Sequence, residues 1–219
     1  MKHNAPQNII NMEETIVTYL KPSKQPKLVI LNGISGVGKS KLYQAAFKRA
    51  QFKDQFGFSI SHTTRQPRPY EINGKDYHFV TEEQFQKLVD ENYFIEHTQN
   101  HGNRYGTSFQ AVQDVFVNQK KNCLLDLDYK GSVSLKNAKL TQPQMYVLIR
   151  PPSWDEYIDT LRKSGTESEE QIAIRVDTAK QQTDFFDNNR GFYDVEIVKN
   201  LLESAIEHFC GILEGFIIQ

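Results

Sequence analysis

Gly33, Gly38, Lys39 and Ser40 stand in the spacing G-x4-G-K-S within "GISGVGKS" (33–40), directly after the apolar run "KLVILN". Glycine lets successive backbone N–H groups turn inward around phosphate oxygens, so Gly33, Ile34, Ser35, Gly36, Val37 and Gly38 read as a phosphate cradle. Lys39 reaches the β- and γ-phosphates and Ser40 suits Mg²⁺, while a helix starting here adds positive charge at its N-terminus. This chemistry binds a nucleoside triphosphate. It leaves open what receives the phosphoryl group, because hydrolases and transferases share the loop.

A second constellation lies in "SHTTRQPRPYEINGKDY" (61–77), which gathers Ser61, Arg65, Arg68 and Tyr77. Two arginines three residues apart can make forked contacts to a phosphate dianion, and a tyrosine hydroxyl can complete the ring of donors. Arginine beside proline is often only solvated, but the following residues add a base-reading set. Glu96 ends the strand-like "YFIE", and "GNRYGTS" (102–108) reads as a turn-forming stretch carrying Tyr105, Thr107 and Ser108. Guanine presents N1–H and N2–H₂ as adjacent donors for a carboxylate and O6 as an acceptor for a hydroxyl, which Glu96, Ser61 and Thr107 supply. "LLDLD" places Asp126 and Asp128 at the end of a buried strand, where open α/β sheets hold ligands. Period two sets both on one side. Asp126 suits Mg²⁺ or its waters, and Asp128 the guanine edge or the incoming nucleotide.

The elements that must position these groups alternate. Strands are expected at 27–32, 56–61, 77–80, 93–98, 122–127, 144–149 and 194–198, and helices at 39–52, 81–92, 108–119, 153–163, 168–186 and 201–217. Thr81 is expected to cap the second helix, with Glu83 or Gln84 reaching back. The alternation implies an α/β fold, a mostly parallel central sheet covered on both faces. Residues 59–109 break the rhythm with short strands and read as an inserted lobe.

Bulk properties narrow the partners. Of 219 residues, 26 are Lys or Arg and 27 are Asp or Glu, a net charge of −1 that offers no basic field for nucleic acid or an anionic membrane. The length suits one main core. No apolar run reaches membrane-spanning length, and the first residues lack the apolar segment of a signal peptide. Cys123 and Cys210 have no metal-ligand neighbours and read as buried thiols of a reducing compartment. His62, His78, His97 and His101 lack ligand spacing and read as structural or solvated. Together these indicate a cytoplasmic protein with a short leader that packs as a helix over 11–20 or stays mobile.

The motifs "GISGVGKS", "SHTTRQPRPYEINGKDYHFV", "FIEHTQNHGNRYGTS", "LLDLDYKG" and "IRPPSWDEYIDTLRKSGTESEEQIAIRV" occur in this order over about residues 27–200. In them the chain resembles guanylate kinases, P-loop kinases that pass the γ-phosphoryl of ATP to GMP in purine nucleotide metabolism. The resemblance implies a leader (1–26), a core (27–58, 110–150 and 181–219), a GMP-binding lobe (59–109) and a small helical lid (151–180). It implies that Ser61, Arg65, Arg68, Tyr77, Glu96, Tyr105, Gly106, Thr107 and Asp128 hold GMP. Lys39, Ser40 and the loop backbone would hold ATP with Mg²⁺, Asp126 assisting, in a monomer or homodimer. Lys39, Arg65 and Arg175 are then the residues expected to assist transfer.

Departures from the family pattern fall on the ATP side. The usual lid, close to R-L-x-x-R-G-T-E, is here "TLRKSGTE" (160–167), which alters both arginine positions and leaves Arg162 or Lys163 to substitute from a shifted one. The common I-V-N-D near adenine is here Ile197-Val198-Lys199-Asn200, and Lys41 follows Ser40 where Thr is common. Two other readings are a catalytically silent module holding phosphorylated peptides and a kinase of phosphorylated sugars. The intact loop opposes the first, and Glu96 with Ser61 and Thr107 would have no purpose in the second.

Overall fold

Continuous apolar runs of strand length can be buried on both faces only inside a layered sheet, and the central sheet is made of such runs. The computed structural model describes residues 25–100, 102–165 and 168–218; residues 1–24 with the helix expected over 11–20, His101, Thr166, Glu167 and Gln219 lie outside the described residues. β1 (Leu28–Asn32), β2 (Phe56–Phe58), β7 (Asn122–Asp126), β8 (Gln144–Arg150) and β9 (Val195–Val198) form a parallel sheet in the order β2-β7-β1-β8-β9. Along β1, Val29 and Leu31 join one core cluster while Leu28 and Ile30 join the other. Both faces are therefore closed, as a parallel sheet requires.

Around this sheet pack α1 (Lys39–Phe47), α3 (Phe109–Gln113, continuing as a π-turn over Asp114–Asn118), α4 (Tyr129–Asn137), α5 (Trp154–Ser164), α6 (Glu169–Asn188) and α7 (Leu202–Ile218). The first helix stops at Phe47 rather than reaching residue 52, and the strand expected over 56–61 breaks after Phe58. The sequence pattern does not announce α4. Its sequence "YKGSVSLKN" carries a glycine and two serines, which are weak helix formers, yet Asp128 caps it, with Oδ1 accepting from Gly131 N–H at 2.8 Å.

A second sheet, in the order β4-β3-β6-β5, comes from β3 (His62–Thr63), β4 (His78–Phe79), β5 (Phe94–Asn100) and β6 (Asn103–Ser108). The stretch that reads in sequence as a turn is largely the strand β6. Its tight connection to β5 includes Gly102 at φ 74°, a left-handed conformation that glycine adopts without strain. Antiparallel pairing sets Glu96 opposite Thr107 and Thr98 opposite Tyr105, so these four side chains share one face of the hairpin. The other face packs on α2 (Glu82–Asp90) through stacked Phe85 and Phe94, 4.7 Å between ring centres. α2 begins with the expected box: Thr81 accepts from Gln84 N–H and the Gln84 side chain accepts from Thr81 N–H in return.

Candidate active site at the cleft between P-loop and hairpin

The P-loop can bend because its glycines adopt positive φ, which other residues rarely do. Gly33, at φ 147°, has no room for a Cβ, which would fall 2.5 Å from the Ile149 carbonyl oxygen, and Gly38, at φ 99°, opens α1 from a left-handed conformation. Lys39 Nζ donates to the Gly33 carbonyl at 2.9 Å and lies 3.5 Å from Asp126. The parallel register makes this meeting inevitable: Leu31 faces Asp126, so the loop leaving β1 passes the end of β7. Burial pushes the Asp126 carboxyl above its usual range, and Lys39 pulls against that shift. Tyr43 lies one turn along α1, and burial followed by the Asp126 charge pushes its hydroxyl up to about 12.

Two helices of the segment 151–180 rest on this loop. The Tyr157 hydroxyl of α5 donates to the Ser35 carbonyl at 2.8 Å, and Leu161 lies against Gly36. Arg175 of α6 brings its Nη1 to 3.6 Å from where a Gly36 side chain would start, beside the cradle. Arg162 instead makes two bonds to Glu169, at 3.0 and 2.9 Å, tying α5 to α6 on the surface. Lys199, just past β9, lays its Cε and Nζ 3.4 Å from the position a Gly38 Cβ would take.

Across the cleft, Glu96 is 6% exposed and its Oε1 accepts from Thr107 N–H at 2.9 Å. Burial, helped by the nearby Asp128, raises its carboxyl to about 7, with the Thr107 contacts opposing. Ser61 and Thr107 bring their hydroxyl oxygens to 3.5 Å, and Asp128 Oδ2 accepts from Thr98 at 3.0 Å. β7 ends at Asp126, so alternation does not extend to Asp128. Asp126 belongs with Lys39, and Asp128 with Glu96 and Thr98.

Arg65 lies over the rings of Tyr77 (5.4 Å) and Phe79 (5.6 Å), and Tyr77 meets Tyr105 at 6.1 Å. Burial raises the Tyr77 hydroxyl first, and the Asp126 charge adds to it, which links the lobe electrostatically to the P-loop side. Gly106 has a different setting: a Cβ there would come within 2.9 Å of the Phe94 ring, so it faces the α2 side of the hairpin and offers the cleft only backbone. His62 is packed under the lobe against His78, Tyr93 and Phe94, and burial brings it down to about 4.

Sequence reasoning misses three positioning residues. Glu71 accepts two bonds from Arg65, at 2.9 and 2.8 Å, and one from Arg68 N–H at 2.7 Å. Although its burial opposes ionisation, these arginine contacts win and hold its carboxyl below the usual range. Thr98 can be found by counting two from Glu96 along an alternating strand. Asn32, fully buried, donates to the Leu127 carbonyl and to Ser132 Oγ, both at 2.7 Å, and so fixes the loop before α4 to the end of β1.

Comparison with known proteins gives the family. The family model described as guanylate kinase matches residues 25–215. The chain is 42% identical to guanylate kinase of Sus scrofa over 180 residues, covering 82% of this chain and 88% of the relative. For the Homo sapiens guanylate kinase the identity is 41% over 181 residues, with the same two coverages of 82% and 88%. Guanylate kinase 1 of Oryza sativa is 38% identical, but the match spans only 46% of that longer protein. The crystal structure of guanylate kinase from Anaplasma phagocytophilum superposes with a TM-score of 0.66 at 25% identity, covering 89% of this chain and 88% of that one. A P-loop facing a buried acid across a two-sheet cleft, together with these matches over nearly all the described residues, identifies the chain as a member of the guanylate kinase family, the nucleoside monophosphate kinases that phosphorylate GMP.

Proposed function

We propose that the hairpin face of the lobe holds GMP while the P-loop holds ATP, so that the γ-phosphoryl passes from ATP to GMP and leaves ADP and GDP. Glu96 is the observation that carries this arrangement. A buried carboxylate is costly without donors, and Thr107 N–H occupies one position on Oε1. The adjacent N1–H and N2–H₂ of guanine suit the remaining capacity, whereas adenine would bring an unprotonated N1 against it. Ser61 and Thr107 suit O6, Asp128 lies beside them, and Gly106 contributes backbone alone. Arg65, Arg68, Tyr77 and Tyr105 take the acceptor phosphate.

Transfer requires in-line placement and charge neutralisation more than a strong base, because the acceptor phosphate is already ionised. Lys39 and Arg175 neutralise charge on the phosphoryl group, and Arg65 and Arg68 aim the acceptor. Arg162 reaches ATP only by leaving Glu169. The Ser40 hydroxyl and the Asp126 carboxylate are hard oxygen donors, few in number, and this fits Mg²⁺, which takes most of its other ligands from phosphates and water. When bound, the ion offsets charge between the β- and γ-phosphates. Lobe 59–109 and lid 151–180 close on the frame of 27–58, 110–150 and 181–219, and exclude water that would otherwise hydrolyse ATP.

Among the described residues no helix is long and apolar enough to cross a membrane, and both cysteines are buried and free. The thiols suit a reducing compartment, and we place the enzyme in the cytoplasm as a monomer or homodimer. The assay is ADP release from ATP and Mg²⁺ with GMP, dGMP, AMP, CMP or UMP as acceptor. GMP and dGMP should support turnover and AMP should fall about 10³-fold or more below them, because a site built to pair with donors rejects a ligand lacking them. Equal rates with GMP and AMP would remove Glu96 from base recognition.

A further inference from the structure

Lys199 is the residue at which both the sequence and the cleft depart from expectation. It stands in "IVKN" (197–200), one of the stretches at which the sequence departs from the family pattern it otherwise resembles. Its backbone N–H donates to the Arg150 carbonyl at 2.8 Å, which adds one rung beyond the β8–β9 pairing and fixes where the side chain departs. From there the stem runs along the P-loop: Cε and Nζ lie 3.4 Å, and Cδ 3.7 Å, from the position of a Gly38 Cβ. Gly38 is the N-cap of α1 and belongs to the backbone that cradles the α- and β-phosphates in such loops.

The surroundings do not explain the ammonium as an ion-pair partner. Among the described residues no carboxylate comes within 4.0 Å of Lys199. Partial burial and the like charge of Lys41 in the first turn of α1 disfavour its protonated form, while Glu156 attracts it from farther away. Lys199 thus stands beside the cradle with a like charge near it and no ion-pair partner within 4.0 Å among the described residues. An anion at the P-loop would relieve the repulsion and satisfy the ammonium, and the phosphate chain of the donor is such an anion.

We propose that Lys199 is a donor-binding residue that contacts the α- or β-phosphate of the nucleotide in the P-loop, so that part of the grip on the donor comes from phosphate charge. The inference rests on the reading that the P-loop holds the phosphoryl donor. It has a consequence for selectivity. An ammonium is a donor only and cannot accept from the adenine N6 amino group, whereas the phosphates of all nucleoside triphosphates are alike.

The test is steady-state kinetics of Lys199→Met and Lys199→Arg with ATP, GTP and CTP as donors and GMP as acceptor. Methionine keeps most of the stem and removes the charge. The KM for every donor should rise by a similar factor, about tenfold or more for a lost charged contact. The KM for GMP should stay within about twofold, and arginine should restore most of the loss. Adenosine, which has no phosphate, should inhibit wild type and Lys199→Met equally. A rise confined to ATP would overturn the phosphate contact in favour of a base contact, and unchanged donor KM values would reduce Lys199 to packing. If wild type releases no ADP in response to GMP, the phosphotransferase reading itself fails, a result distinct from any effect of the substitution.

Discussion

In the acceptor lobe the groups that would meet GMP are already held by protein partners. Arg65 is clasped by Glu71, Glu96 receives Thr107 N–H, and Asp128 takes bonds from Thr98 and Gly131. On the P-loop side, Lys39, Arg175 and Lys199 lie against the loop and bring positive charge to it. The contrast follows from the ligands. A base is recognised by a few donors and acceptors in fixed directions, which demands preorganised partners. A phosphate chain carries dense charge and accepts cations from many angles, so its ligands tolerate substitution. In the proposed arrangement, this would let departures from the family pattern collect on the donor side.

This contrast can be broken at several points. The largest effect is expected at Lys39, where Lys39→Ala removes a charge that the proposed mechanism sets on the transferring group and leaves half-buried Asp126 without its partner. Rapid-quench kinetics should show turnover lower by about 10²- to 10³-fold, as for other preorganised donors. A loss of about tenfold or less would mean that Arg175 or Lys199 carries the charge instead.

A smaller effect is expected at Glu71. In Glu71→Gln the clasp on Arg65 weakens, and reordering a freed arginine costs about 0.5–1.5 kcal/mol, or roughly two- to tenfold in KM for GMP. The KM for ATP should not move. A lower KM for GMP would show instead that Glu71 competes with the acceptor phosphate.

The smallest expected effect is on stability. Burial holds the Glu96 carboxyl at about 7 in the folded protein against 4.5 in the unfolded chain, so between those values the folded state binds more protons. Stability therefore falls as pH rises through this window, and the loss is complete above it. Glu96→Gln keeps an oxygen for Thr107 N–H and removes the ionisation. Its melting temperature should exceed wild type by about 2–5 °C at pH 8, with the gain disappearing toward pH 4.5. A constant difference across that range would mean that burial does not set the Glu96 proton.

What can be read from sequence follows the same division. β1, β7 and β8 are continuous apolar runs, and their burial needs no other signal. β6 is hidden because Asn103, Arg104, Gly106 and Ser108 break the apolar pattern. Of these, Gly106 is required by the close approach of Phe94 and Phe85. α4 is hidden by Gly131 and Ser132, and the structure explains both: a side chain at 131 would strike Glu96 Oε2 at 2.5 Å, and Ser132 accepts from Asn32. Local propensity is overridden where the site needs close contact. Glu71 escapes notice for another reason, since only the folded loop shows which of several neighbouring charges clasps Arg65.

In the proposed arrangement Glu96 reads guanine and makes no contact with the donor. Initial-rate kinetics of Glu96→Gln, with GMP and ATP varied independently, test it directly. The expected result is a rise in KM for GMP of about 10- to 100-fold, the loss of charged hydrogen bonds to N1–H and N2–H₂, with the KM for ATP within about twofold of wild type. Equal changes in both values, or an unchanged requirement for GMP, would contradict the assignment.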